Sequence, residues 1–140
     1  MKKRILALVL VLALCAGLLV MPVGAAEPEA VAYLTISVAG KLQLTRYPVT
    51  LTDENENGKL DIDDVLQVGH AIYGDDTYSY ASARGDYGLS ITKLWGDTSG
   101  AFGYCVNTTV PMSLEEEVKA GDDVYAYVYQ DKTGYTDAFS

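Results

Sequence analysis

The chain has 140 residues, 49% of them hydrophobic, and its 19 acidic against 10 basic residues leave a net charge of −9. That acidity argues against nucleic acid and anionic membrane surfaces as partners and favours the attraction of cations. Of the two cysteines, Cys15 lies in the amino-terminal apolar stretch and Cys105 far downstream, so no disulfide framework is expected in an exported domain, which must rest on its core, a bound metal, or both.

Residues 1–26 have the three parts of a secretory signal: a basic start (Lys2, Lys3, Arg4), an apolar stretch over 5–20, and small residues ahead of Glu27. The uncharged run 5–26 could nearly span a bilayer, which needs about 20 apolar residues. Pro22, Gly24 and the Ala25-Ala26 pair favour cleavage instead, and Leu14 before Cys15 argues against lipid attachment. Cleavage removes Lys2, Lys3 and Arg4 and no acidic residue, leaving a still more acidic chain of ordinary single-domain size. The expected product is secreted or held at the cell surface, with no stable membrane span.

Residues 27–31 form a short polar leader to a domain expected over 32–140. The stretches AYLTISV and LQLTRYPVTL alternate apolar and polar residues, the period of half-buried strands, and AGK between them makes a hairpin. Over 61–73 the period lengthens: Ile62, Val65, Leu66, Gly69 and Tyr73 recur at three and four, with Val68 and Ile72 widening the stripe, so an amphipathic helix is expected, ended by Gly74. The segment 74–88 has no period and reads as a long loop. Strand signals return with LSITKLW, with AFGYCVN after the turn GDTSG, and with DDVYAYVYQ after KAGD; GYTDAFS then begins like one more strand at the chain end. Strand, strand, helix and three further strands, with one helix to cover one sheet, make the fold α+β, most simply a β-grasp arrangement.

The run DENENGKLDIDD, residues 53–64, spends eight of its twelve positions on Asp, Glu and Asn around Gly58. Counted from Asp53, positions 1, 3, 5, 7, 9 and 12 are Asp53, Asn55, Asn57, Lys59, Asp61 and Asp64, with Gly58 at 6 and Leu60 at 8. This resembles the calcium loop of EF-hands, in which a chain coiling around the ion turns alternate side chains inward and position 7 gives only its carbonyl, so a lysine is harmless there. The plainer alternative makes Asp61 a helix cap, Asp63 and Asp64 charges at the helix's positive end, and ENG a turn. That covers half the run and leaves the register of Asp53, Asn55 and Asn57 with Gly58, Leu60 and Asp64 unexplained. Asp64 stands where EF-hands usually carry Glu, as it does in the bacterial dockerin loops that the run also resembles. The incoming element is a strand, and the loop is single. Ca2+ is the expected cofactor.

The stretch LWGDTSGAFGYCVNTTVPMSLEEEVKAGDDVYAYVY, with the hairpin and helix before it, resembles the bacterial β-grasp domains of unknown function related to the transcobalamin carboxy-terminal domain. The resemblance rests on the glycine-rich turn over 96–100, Phe102 and Tyr104, Val106-Asn107, and Gly121-Asp122 ahead of an aromatic strand. It implies an exported or surface module of a bacterium. Cobalamin is not implied, because transcobalamin grips it against a large helical domain that this chain lacks.

Tyr125, Tyr127 and Tyr129 share one face of the last strand, where they either pack on cross-strand neighbours or stack against a sugar or partner. The tripeptide RGD over 84–86 is a chance match, 115–117 a solvated turn, His70 a helix residue with no metal partner in sight, and Trp95 a packing residue. No nucleophile or phosphate-loop motif suggests an enzyme. Three readings follow. The first is a non-catalytic calcium-binding module presenting its sheet or a loop to a cell-envelope polysaccharide or protein. The others are a dockerin-like assembly module using the loop and helix as its interface, and a small carboxylate-based hydrolase.

Overall fold

A computed structural model describes residues 29–72 and 75–134. The signal segment, the helix-ending Tyr73 and Gly74, and the strand start expected at the chain end lie outside the described residues. Six strands and one α-helix are described: β1 (Val31–Val38), β2 (Lys41–Thr50), α1 (Ile62–Ala71), β3 (Ala81–Gly85), β4 (Gly88–Lys93), β5 (Phe102–Val106) and β6 (Asp123–Val128), with a 3-10 turn at Asp76–Tyr78. Four strands form a mixed sheet in the order β2-β1-β6-β5, and β3 with β4 forms a separate two-stranded sheet. The central pair β1 and β6 is parallel, whereas β1/β2 and β5/β6 are antiparallel. The fold is therefore α+β, with a mixed sheet and a helix.

The period-two signal in β1 becomes a buried face of Ala32, Leu34 and Ile36, joined by Val124, Ala126 and Val128 of β6. Ile62, Val65 and Leu66 of α1 meet that face in one core, to which Ile91 and Leu94 from the β4 side and Leu114 and Val118 from the last long connection also belong. Helix and sheet approach closely at Gly69, where an added Cβ would come within 2.3 Å of Leu34 Cδ2. Leu34 is itself completely buried and has little room to yield.

Two expectations need correction. The segment 74–88 is not one long loop: after the 3-10 turn it supplies β3, which runs antiparallel to β4 through the hairpin turn at Asp86 and Tyr87. The alternation of Ala81 and Ala83 with Ser82 and Arg84 is a weak strand signal, because alanine is a small apolar residue and the strand is only half-buried or exposed. The hairpin turn also takes in the RGD tripeptide, whose Arg84 pairs with Glu115. The strands after the helix, in turn, do not all join one sheet, since β4 leaves the main sheet to pair with β3.

Candidate functional site

The loop between β2 and α1 is organised by its own side chains. Asp53 Oδ1 accepts from the Asn57 N–H at 3.0 Å and Oδ2 from the Gly58 N–H at 2.9 Å, while Asn57 Oδ1 accepts from the Lys59 N–H at 2.9 Å. These bonds coil the chain back on itself and need left-handed backbone at Glu56 (φ 55°) and Gly58 (φ 81°). Around Gly58 nothing lies within 4 Å of a would-be Cβ, so glycine is required there for conformation and not for space. Leu60 packs against the core and fastens the loop to the domain.

The expected ligand residues are brought together. Asn57 Nδ2 donates to Asp61 Oδ2 at 2.7 Å, and Asn55 Nδ2 reaches both Asp61 oxygens at 3.3 Å. Asp64 Oδ1 accepts from the N–H groups of Glu54 (2.8 Å) and Asn55 (3.2 Å), tying the last position of the run back to its start. Asp61 and Asp64 also form a capping box at the start of α1: Asp64 N–H donates to Asp61 Oδ1 and Asp61 N–H to Asp64 Oδ2. The helix-cap reading thus holds for these two residues, and it leaves room for a cation, because a carboxylate oxygen that accepts an N–H keeps a further lone pair.

Three carboxylates are buried at this junction: Asp61 and Asp64 are 0% exposed and Asp63 is 1% exposed. Burial, with the neighbouring charge of Asp61, holds Asp64 above the ordinary carboxylate range, against the backbone N–H groups that pull it down. For Asp63 burial pushes upward, but bonds from Tyr80, Ser82, Asn55 and Gln67 together outweigh it and hold the group below that range. The ion pairs of the described residues are Arg46–Asp123, Arg84–Glu115 and Lys132–Asp97, and none reaches these three acids.

The donor set suits a hard cation. No group of three or more His, Cys, Asp or Glu side chains among the described residues is gathered to hold a metal. A cation in the loop would need Asp53, Asp61 and Asp64 to draw closer together and the amides of Asn55 and Asn57, whose Nδ2 atoms here donate to Asp61, to turn their oxygens inward, beside a main-chain carbonyl such as that of Lys59. Neutral oxygens mixed with carboxylates are the usual surroundings of calcium.

The sequence reading missed three supports of the loop. The first is the segment 114–118, around the solvated turn expected at 115–117, whose backbone pairs with the loop's exit. Val118 N–H donates to the Leu60 carbonyl (2.8 Å), and the Ile62 and Asp63 N–H groups donate to the carbonyls of Glu116 and Leu114 (both 3.2 Å). Leu114 and Val118, at 0% and 2% exposure on either side of the three glutamates, are the signal that could have marked it. The second is Asp63, and the third Tyr80, whose hydroxyl donates to Asp63 Oδ1 at 2.6 Å. Burial, with the Asp63 bond and charge, pushes the Tyr80 phenol well above its ordinary range.

Tyr125, Tyr127 and Tyr129 are not brought to the loop. Their face of β6 is opposite the core-facing Val124 and Ala126, and the rings follow one another at 5.6 and 5.3 Å between centroids. Tyr127 is only 7% exposed, and its ring lies over Gly103 of β5, where an added Cβ would come within 2.3 Å of Cε2. The cross-strand packing alternative therefore describes Tyr127. Beside Tyr125 a cleft of about 420 Å³ is lined by Thr35, Cys105, Asn107 and Asp123 among others. Burial pushes the Cys105 thiol up. No family model matches the chain, and no curated protein is significantly similar to it.

Proposed function

We propose that the chain is an exported bacterial module of β-grasp type that binds calcium in the loop 53–64 and carries out no catalysis. The parallel first and last strands at the centre of the mixed sheet, with the helix following a β-hairpin, support the β-grasp reading. The observation that carries the calcium reading is the burial of Asp61 and Asp64 side by side, with no lysine or arginine paired to them among the described residues. Buried carboxylates are paired or coordinate metals, because leaving like charges together without a counter-ion is costly. Asp53, Asn55, Asn57, Asp61 and Asp64 would hold the ion, with the Lys59 carbonyl completing the set. Calcium there joins the end of β2 to the start of α1 and fixes how the helix lies on the sheet. The sheet face carrying Tyr125 and its cleft is the surface offered to a cell-envelope polysaccharide or protein.

The burial of α1 favours this module over a dockerin-like one. Ile62, Asp63, Asp64, Val65, Leu66, Gly69 and His70 are all buried, which leaves little of the helix for a partner to touch. A carboxylate-based hydrolase would need a raised acid in a cleft away from the loop, whereas the acid that burial raises, Asp64, belongs to the loop.

Calcium is expected to raise the stability of the mature chain by linkage, by about 1.4 kcal/mol at a free concentration about ten times Kd. Melting curves in calcium and in chelator test this, and identical midpoints would remove the ion from the account. Asp53→Ala abolishes the shift, since both Asp53 oxygens organise the turn around Gly58. Glu56→Gln, at an exposed position outside the donor set, leaves the shift in place.

A further inference from the structure

On the outer face of the four-stranded sheet, opposite the core, Thr35 of β1 and Cys105 of β5 flank Tyr125 of β6 in one cross-strand row. Two small side chains beside a large ring leave the cleft of about 420 Å³, within the range of ligand pockets, about 300 to 1,000 Å³. The turn after β5 forms a wall. Asn107 N–H donates to the Asp123 carbonyl at 2.7 Å and Asn107 Oδ1 accepts from the Asp123 N–H at 3.0 Å, which pins that wall to β6. Val110 stands at its rim, 75% exposed.

Strand β2 bends to serve the same face. Leu34 pairs with Tyr47 and Ile36 with Leu44, so β2 bulges opposite Thr35, and Arg46 in the bulge is left-handed at φ 43°. Bulges re-aim side chains, and a non-glycine residue in that conformation is strained. Here the Arg46 guanidinium lies 4.6 Å from the Tyr33 ring centroid, with Nε 2.9 Å from Asp123 Oδ1, and the Arg46 N–H donates to Thr35 Oγ1 at 3.0 Å. The bulge thus neutralises the carboxylate at the cleft. It leaves Asp123 Oδ2 as an acceptor and the Thr35 hydroxyl proton as a donor.

We propose that this cleft binds a neutral saccharide: a sugar ring lays its C–H face on Tyr125, with Val110 at the rim, and its hydroxyls bond to Asp123 Oδ2 and Thr35. The inference rests on the reading of this sheet face as the module's binding surface and names the ligand class; it does not depend on calcium. Charge decides against an anionic glycan, because Arg46 is engaged by Asp123 and the chain carries −9. Patch size decides against a protein. Of the large hydrophobic residues exposed in the described chain, Val110 alone lines the cleft, whereas a stable protein interface buries about 800 Å² on each partner around an apolar centre. A sugar needs what is present: an aromatic plane for its apolar face and a few fixed polar groups for its edge.

The test is calorimetric titration of the exported chain with short neutral oligosaccharides of glucose, mannose and N-acetylglucosamine, and with oligogalacturonate as the anionic counterpart. A neutral series is expected to bind and to shift the amide NMR signals of Thr35, Cys105, Asn107 and Tyr125. Tyr125→Ala weakens binding about tenfold and Tyr125→Phe no more than about threefold, since the plane stays. Cys105→Leu fills the floor of the cleft and abolishes binding with the melting midpoint kept. Tyr87→Ala, on the β3–β4 turn and 91% exposed, leaves the Kd unchanged. A preference for oligogalacturonate, binding that persists in Cys105→Leu, or a wild-type chain that takes no neutral oligosaccharide and shows no shift at these amides overturns the proposal. The surface reading is judged apart by a pull-down from the native cell envelope. A captured protein lost in Tyr125→Ala keeps that reading and replaces the sugar, and capture indifferent to Tyr125→Ala removes both.

Discussion

Gly96→Ala is expected to lower the stability of the fold by about 2 to 4 kcal/mol, combining a left-handed backbone penalty with overpacking. Gly96 is the second central residue of a tight turn in which Leu94 and Asp97 exchange backbone hydrogen bonds at 3.0 and 2.9 Å. Both central residues are left-handed, Trp95 at φ 51° and Gly96 at φ 78°, as a two-residue turn of this hand requires. An alanine Cβ at Gly96 would come within 2.0 Å of the Thr77 carbonyl oxygen, a backbone atom that cannot swing aside. Gly100→Ala is the control, because Gly100 has a similar φ of 82° and nothing within 4 Å. It should cost only about 1 kcal/mol. Denaturant midpoints of the two variants decide the matter, and equal losses would mean that the contact with Thr77 is not what the turn needs glycine for.

The second large effect is acid sensitivity centred on His70. Its Nδ1 donates to the Leu66 carbonyl at 2.6 Å and its Nε2 accepts from the Trp95 N–H at 3.3 Å, so the folded chain holds the neutral ring with the proton on Nδ1. A proton on Nε2 would set two N–H groups against each other in a site that is 6% exposed. Burial pushes the ring down from 6.5 to about 4, against the Leu66 carbonyl, which favours the charged form. Below pH 6.5 the unfolded chain takes up this proton and the folded chain does not, so stability falls with pH until about 4 and then levels. The loss from this group is about 3 kcal/mol over that window. Asp64 opposes part of it, since its raised folded value lets the folded form bind a proton before the unfolded one does. The Asp63 contribution belongs to lower pH, because a depressed carboxylate loses its stabilisation only as pH falls below its unfolded value of 3.8. Melting midpoints between neutral pH and about pH 4.5 should fall steeply in the wild type and more shallowly in His70→Asn. The variant is less stable at neutral pH, so the comparison is of slopes. Parallel slopes would move the acid sensitivity to other groups.

Both predictions meet at one joint. Trp95 meets His70 edge-on at 5.6 Å and lies tilted 4.9 Å from Tyr78, and Tyr80 lies 5.0 Å from His70. The turn at Gly96 seats Trp95, Trp95 and Leu66 define the state of His70, and Tyr80 carries the same cluster to Asp63 at the candidate site. Loosening the turn is therefore expected to reach the loop 53–64 through packed rings.

What the sequence by itself determined is what short stretches decide locally. The β1–β2 hairpin follows from period-two alternation around Ala39 and Gly40, both left-handed. Glycine at position 6 of the loop follows from the left-handed turn that its coil demands, and the helix start at Asp61 follows from capping chemistry three residues deep. Each of these depends on neighbours in the chain, and periodicity or turn chemistry records it. The tertiary structure alone decided which strands share a sheet, that β3 is a strand at all, and that Tyr127 is covered. It also decided that residues 114–118 brace the loop and that Asp63 is buried under Tyr80. Each of these rests on contacts between residues 17 or more positions apart, as Asp63 is from Tyr80, or on bonds made by main-chain atoms, as at Leu60 and Val118. Apart from proline, every residue type carries the same main-chain donor and acceptor, so a pairing made through them leaves little mark in the amino-acid sequence.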